Sequence, residues 1–207
     1  MLAFLLPWYY KNYPRLLGLV VKLLFASKRI KVGKNFTCDS FPKLQVDSTA
    51  SLVIGDNVQF RRNVEIRCHG NSKIKIGNNC RIDRGVRILS ANESKIELQN
   101  ECRIGLYSVF NGGDSITLGK NTLVSGYVYL QTSMHKYDGV GAIANQGYSH
   151  APISLGKDCW LGTHAIIFPG VNLENGCVVG SSSVVNKSFS EKSIIAGIPG
   201  KLIKTRT

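Results

Sequence analysis

Residues 155–171 read LGKDCWLGTHAIIFPGV. Counted from Leu155, apolar or small residues fall four, six, ten and twelve positions on, at Cys159, Leu161, Ala165 and Ile167. Two inward residues flanking one outward residue make a short strand. Glycine, asparagine and aspartate between such pairs suit turns that need positive φ. The same ruler, started at Ile54, meets Val58, Phe60, Val64 and Ile66; started at Ile76, it meets Cys80, Ile82, Val86 and Ile88. It fits again from Val32, Leu98, Leu118 and Leu173, most weakly from Val32. Five anchors are followed at once by glycine, in VGKN, IGDN, IGNN, LGKN and LGKD. A six-residue repeat of this kind closes a three-sided coil of about 18 residues, and such coils stack as a parallel β-helix.

The spacing from Leu155 to Leu173 is one such coil. Ile54, Ile76 and Leu98 are 22 apart, and the extra residues are assigned to corner excursions such as HGNS at 69–72. Leu118 and Leu155 are 37 apart, which predicts a loop protruding near residues 132–152. The domain plan is therefore a helical segment at 1–30, a β-helix over 31–192 carrying the loop, and a basic tail at 193–207. Cys80, Cys102, Cys159 and Cys177 share one slot of the ruler and Cys38 another, as small apolar fillers in the reduced state. Cys68 falls outside the register.

The 207 residues carry a net charge of +13, which points to an anionic partner. No zinc-finger spacing, basic zipper or RNP-type aromatic pattern is present, so nucleic acid is not expected. Residues 1–38 hold seven basic residues and no acid. The stretch YPRLLGLVVKLLFASKRI predicts a helix with Pro14 in its first turn and Arg15, Lys22 and Arg29 on one face. Its apolar run, Leu16–Val21, is too short to span a bilayer. Two readings stand: a helix packed on the coil stack or a neighbouring subunit, or an interfacial helix touching anionic lipid.

The segments IGNNCRI, LGKNTLV, LGKDCWLGTHAIIFPGV, GSSSVVNKSF and AGIPGKLIKTR resemble the hexapeptide-repeat acyltransferases, in particular the galactoside, maltose and polysaccharide O-acetyltransferases. The resemblance covers roughly residues 50–207. It implies an all-β, left-handed parallel β-helix, a cytoplasmic homotrimer, acetyl-CoA as donor without a metal, a carbohydrate acceptor, and active sites between subunits. It implies His135, at the start of the loop in QTSMHKYD, as general base; an imidazole titrates near neutrality and can take a hydroxyl proton as the thioester is attacked. On the acceptor side it points to Asn111 and Asp114 of FNGGD, with Asp138 as a local competitor for orienting the imidazole and Tyr137 for stacking on a sugar. On the donor side, Trp160 matches an aromatic beside the pantetheine arm, followed by Gly162 and Thr163, with a backbone N–H near this glycine for the oxyanion. Ser181, Asn186 and Lys187 match residues further along the cofactor, and Lys201, Lys204 and Arg206 suit its phosphates. GSSS stands where the family often has Gly-Ala-Gly. His164 is outward, His150 lies in the loop and His69 at a corner.

The expected reaction is transfer of an acetyl group to a sugar hydroxyl in surface polysaccharide (capsule, O-antigen or exopolysaccharide) or its lipid-linked precursor, with contact at the inner face of the membrane through residues 1–30. The alternatives are N-acetylation of an amino-sugar and acetylation of an antibiotic on the same fold. A β-helix hydratase of the gamma carbonic anhydrase type needs three convergent histidines, and those at 69, 135, 150 and 164 do not recur by coil.

Overall fold

The computed structural model describes the backbone of residues 2–207 and the side chains of Leu6 and of Asn12 onward. Three sheets of seven, nine and seven strands, parallel except for the last strand of the second, form the sides of a left-handed, three-sided β-helix, and a two-stranded ribbon forms the core of the loop. The seven anchors line up in one sheet: Val32, Ile54, Ile76, Leu98, Leu118, Leu155 and Leu173 are successive partners in register. The second side repeats this from Cys38 through Phe60, Ile82, Ile104, Val124 and Leu161 to Val179 and Ile195. The third runs from Leu44 through Ile66, Ile88, Phe110, Leu130 and Ile167 to Val185. Apart from half-buried Leu44, these columns are fully buried, and each such side chain contributes about 1.5–3 kcal/mol of burial.

The 22-residue coils differ from expectation. Residues 69–72 are an ordinary two-residue turn, centred on Gly70 and Asn71. The extra residues lengthen two sides instead: Glu65–Cys68 and Lys73–Ile76 are four-residue strands, where the 18-residue coil has Ile166–Ile167 and Asn172–Leu173. Each lengthened side gains one inward position. Cys68 is one of these, paired with Val46 below and Ser90 above, which gives it a register after all. The widened corner is filled by buried serines. Ser72 donates to the Ser90 carbonyl (3.0 Å), Ser90 and Ser94 hydroxyls meet at 2.7 Å, and Ser94 donates to the Gly112 carbonyl (2.9 Å). All six cysteines are buried free thiols, and burial, aided by Asp39 and Asp47, pushes those of Cys38 and Cys68 up to about 12.

The glycine after each anchor has a different task from the one expected. The residue with positive φ is two positions later, Asn35, Asn57, Asn79, Asn121 or Asp158, at φ 54–63°. The glycine leaves room for the coil above: a Cβ on Gly77 would lie 2.7 Å from both the backbone nitrogen and the side-chain oxygen of Asn100. That oxygen accepts the Asn78 N–H at 2.8 Å, so adjacent coils are stitched through the space that glycine keeps open.

Helix α1 spans Leu2–Phe25. Met1, the first residue of the predicted N-terminal segment, lies outside the described residues. Pro14 is interior rather than in the first turn; its ring removes one backbone donor, and the helix continues through it. The helix stops before Arg29, because the Ser27 hydroxyl accepts the N–H groups of Arg29 and Ile30 (3.3 and 3.1 Å), so Arg29 does not share a helical face with Arg15 and Lys22. Leu17 and Val21 are buried in the core cluster, and Gly18 lies directly on the backbone of Phe36 and Thr37. Since Thr37–Cys38 is the edge strand of its sheet, α1 covers the open end of the stack. At the other end, Ser193–Ala196 adds an eighth parallel strand to the second side and Lys201–Thr205 pairs antiparallel to it. The basic tail is thus a strand.

Candidate functional site

The loop leaves the prism at its third corner, after the strand Tyr129–Gln131. Ser133–His135 and Tyr148–His150 form an antiparallel ribbon in which His135 faces Tyr148 and Ser133 faces His150. The two rings at the tip, His135 and Tyr148, pack with centroids 4.2 Å apart and planes tilted by 38°. At the base, His150 Nδ1 and Ser133 Oγ are 2.8 Å apart. This pair sits over Gly113, where a Cβ would come within 2.1 Å of Ser133 Oγ and 2.9 Å of His150 Nδ1. The beginning and end of the loop are therefore locked to each other and to the coil beneath. The turn region is held by Gln146, whose amide accepts the Gly139 N–H (2.8 Å) and donates to the carbonyls of Gly139 and Gly141 (both 3.1 Å).

These residues enclose an open recess of about 600 Å³ lined by His135, Tyr137, Asp138 and Gln146. Asn111 and Asp114 lie on the same edge, one coil below. Asn111 pairs with Gln131 in register, its amide reaches the Tyr129 hydroxyl (3.3 Å), and the Asp114 N–H donates to Thr132 Oγ1 (3.0 Å) while its carboxylate accepts the Ser115 N–H (2.6 Å). Among the described residues no hydrogen bond joins the His135 ring to Asn111, Asp114 or Asp138. The group that packs against the ring is Tyr148, which sequence reasoning missed. Its signal is the mirrored pair SMH and YSH, which place an aromatic opposite the histidine once the two segments run antiparallel. Gln146 was likewise missed, since its three contacts depend on the loop's path.

The donor-side residues gather elsewhere, at the second side and second corner of the last coils. Trp160 is half-exposed, and its indole N–H donates to Ser125 Oγ at 3.0 Å. Gly162 is buried, and a Cβ there would lie 2.6 Å from the Ser181 nitrogen. Its own N–H donates to the Val179 carbonyl (2.8 Å) and is spent on the coil stack. The next N–H, of Thr163, carries no hydrogen bond among the described residues, and the Thr163 hydroxyl donates to the Gly126 carbonyl (2.8 Å). An outward N–H beside an exposed indole fits the chemistry of a carbonyl that gains negative charge. Ser181 is exposed directly above Thr163, and Ser182 ties the two coils by donating to the Thr163 carbonyl (2.8 Å).

Asn186 and Lys187 are exposed beyond the third side, Lys187 with its ammonium 5.5 Å from the Phe189 ring centre. Lys201 and Lys204 are exposed on the final strand. Arg206 is not free: it bonds Asp158 Oδ2 (3.1 Å) and the Gly176 carbonyl (3.0 Å), which pins the tail to the first corner. His164 belongs to a ladder of corner residues with positive φ; its ring stacks on Tyr127 (5.0 Å), and Tyr127 stacks on Tyr107 (5.4 Å). His69 faces Asp47 across 3.5 Å at the widened corner. The loop and the donor-side patch thus leave the prism from different edges, and a chain does not bring its own His135 onto its own Trp160.

The family model for the hexapeptide repeat of succinyl-transferase matches residues 152–187, the stretch that carries Trp160, Gly162, Thr163 and Ser181. A putative lipopolysaccharide biosynthesis O-acetyl transferase and the galactoside O-acetyltransferase, both of Escherichia coli, are 32% and 31% identical, each over 44% of this chain. Over this stretch the chain is similar to the hexapeptide-repeat acyltransferases. A probable acetyltransferase of Mycobacterium tuberculosis is 26% identical over 97% of the chain. The matched segments span about half the length of these relatives: 58%, 50% and 44%. Among solved structures, the N-acyltransferase AntD of Bacillus cereus, bound to dTDP and coenzyme A, superposes with a TM-score of 0.64 at 23% identity, covering 91% of this chain and 89% of that one. This last likeness establishes the shared fold of this hexapeptide-repeat protein.

Proposed function

We propose that the protein transfers an acetyl group from acetyl-CoA to a sugar hydroxyl, in the synthesis of a surface polysaccharide, with His135 as general base. The observation that carries this reading is the His135 ring, packed on Tyr148 at the rim of a recess wide enough for a sugar ring. The sugar hydroxyl oxygen attacks the thioester carbonyl carbon while His135 takes its proton. The carbonyl oxygen gains negative charge, and the Thr163 N–H is the donor suited to it. The carbon–sulfur bond then breaks, the thiolate leaves with the proton returned by the imidazolium, and the products are an O-acetyl sugar and CoA thiol. No covalent enzyme intermediate is needed when both substrates meet in one site.

Trp160, Gly162, Thr163 and Ser181 are assigned to the pantetheine arm, and Asn186, Lys187 and Lys201 to the nucleotide end; Asn111, Asp114, Tyr137 and Asp138 are assigned to the acceptor. Because His135 and Trp160 lie on different edges, the site is completed by a neighbouring copy, and a homotrimer in the cytoplasm supplies three such sites. The relatives named for O-acetyl transfer support a hydroxyl acceptor. AntD, named as an N-acyltransferase, motivates including amino-sugars in the test.

The test is thiol release from acetyl-CoA across sugars, nucleotide-sugars, amino-sugars and aminoglycosides, with wild type and His135→Ala. Turnover on a hydroxyl acceptor that falls at least about 100-fold in the variant supports the reading. Turnover confined to amines, or retained by the variant, overturns it.

A further inference from the structure

We infer that the outer face of α1 docks the protein on an anionic lipid bilayer, independently of which reaction it catalyses. The helix is used on one side only. Gly18 meets the Phe36 carbonyl, and Leu17 and Val21 are buried against the first coil. At 100° per residue, Leu16, Val20 and Leu23 lie roughly opposite Gly18, with Leu19 and Leu24 beside them. Leu16 is 62% exposed, Leu19 60%, Leu23 83% and Leu24 67%. Four leucines on one helix so exposed form a continuous apolar stripe rather than scattered surface residues. Since α1 covers the end of the stack, the stripe points away from the coils, and no other part of the described chain covers it.

Charge selects the occupant. Lys11, Arg15, Lys22, Lys28, Arg29, Lys31 and Lys34 all fall before the first acid, Asp39. An apolar stripe in a segment whose only charges are cations is matched by a surface that offers both acyl chains and negative headgroups. A second copy is a poor match: face-to-face packing of this stripe would bring two acid-free cationic segments together. No described helix is long and apolar enough to cross a membrane, so the helix lies in the interface plane.

The experiment is flotation of the full chain with phosphatidylglycerol–phosphatidylcholine vesicles and with pure phosphatidylcholine vesicles. Wild type should float with the first and not the second, and high salt should release it. Leu16→Glu/Leu23→Glu should cut binding at least 10-fold, because both side chains are already solvent-exposed and the fold does not depend on them. Lys28→Gln/Lys31→Gln, at two exposed cations, should cut it about 5-fold per charge and serves as the second arm if the first variant unfolds. Wild type that stays at the bottom, or variants that float equally, overturns the inference. So does light scattering showing that Leu16→Glu/Leu23→Glu lowers the mass of the particle, which would make the stripe an interface between copies. Acetyl transfer to a soluble sugar by the flotation-deficient variant separates failure of docking from failure of the proposed reaction.

Discussion

The wide coils from Val32 to Leu98 and the narrow coils after Leu118 obey one repeat and do different work. In the wide half the outward residues pair with each other across coils, Arg61 with Asp39 (3.2 Å), Lys75 with Glu97 (2.8 Å), and Lys43 and Arg87 with Glu65, which Arg67 also joins from its own strand. An asparagine ladder, Asn35 to Asn57 to Asn79 with two bonds of 3.0 Å, runs up one corner, and the serines fill another. In the narrow half the corresponding outward positions are Leu123 and Trp160, and the loop replaces a corner. Every candidate site residue lies from Asn111 onward. Outward residues tied to one another across coils leave fewer groups for a ligand than an exposed indole and a protruding loop do.

Four experiments would break or sharpen this contrast. Replacing residues 136–147 by a short glycine link should lower acetyl transfer by about 1,000-fold or more, because Tyr137, Asp138 and Gln146, which line the recess beside His135, are removed. The melting temperature should stay within a few degrees, since none of residues 136–147 is buried and the loop base at Ser133 and His150 is left in place; substantial turnover in this variant would put the chemistry outside the loop. Gly77→Val should cost about 3 kcal/mol or more in denaturant unfolding, because its side chain meets the backbone of the next coil, while KM for acetyl-CoA in the surviving protein stays put. Asn57→Ala should cost about 1–2 kcal/mol, combining its φ of 57° with loss of both ladder bonds. A value near zero would mean the ladder is ornamental.

The smallest effect is electrostatic. Burial pulls the Glu65 carboxyl up, but Arg67 through its hydrogen bond and charge, together with Lys43 and Arg87, pulls it further down, so the net direction is below its ordinary value of 4.5. A carboxyl lowered in the folded state adds stability above its unfolded pKa and loses it as pH falls through the folded value. Glu65→Gln should therefore cost about 0.5 kcal/mol at pH 7 and nothing once the pH is below the native value, read from urea midpoints across pH.

The repeat was legible because inward residues of a β-helix recur at fixed steps whatever the coil does elsewhere; all seven anchors fall on one sheet. Side length was not legible. The steps counted from an anchor are identical in wide and narrow coils, so Cys68 and Ile74 lay outside the counted steps, and the extra residues were assigned to a corner. The glycine after the anchor was visible, but the reason for it sits in the next coil, some twenty residues away. Of the candidate site, the position of His135 could be read from motif resemblance. Its packing on Tyr148 required the antiparallel return of the loop. The ion pair between Arg206 and Asp158, which removes one cation from the tail, joins residues 48 apart and has no local pattern.

The final strand, Lys201–Thr205, runs against the direction of every other strand in its sheet. Parallel edges invite another molecule to continue the stack, and an end-to-end fibre of such prisms would bury each edge in turn. A reversed last strand presents the wrong polarity for that growth, and the helix at the opposite end covers the complementary edge. The helix and the reversed strand thereby cap the two edges of this sheet against further parallel pairing.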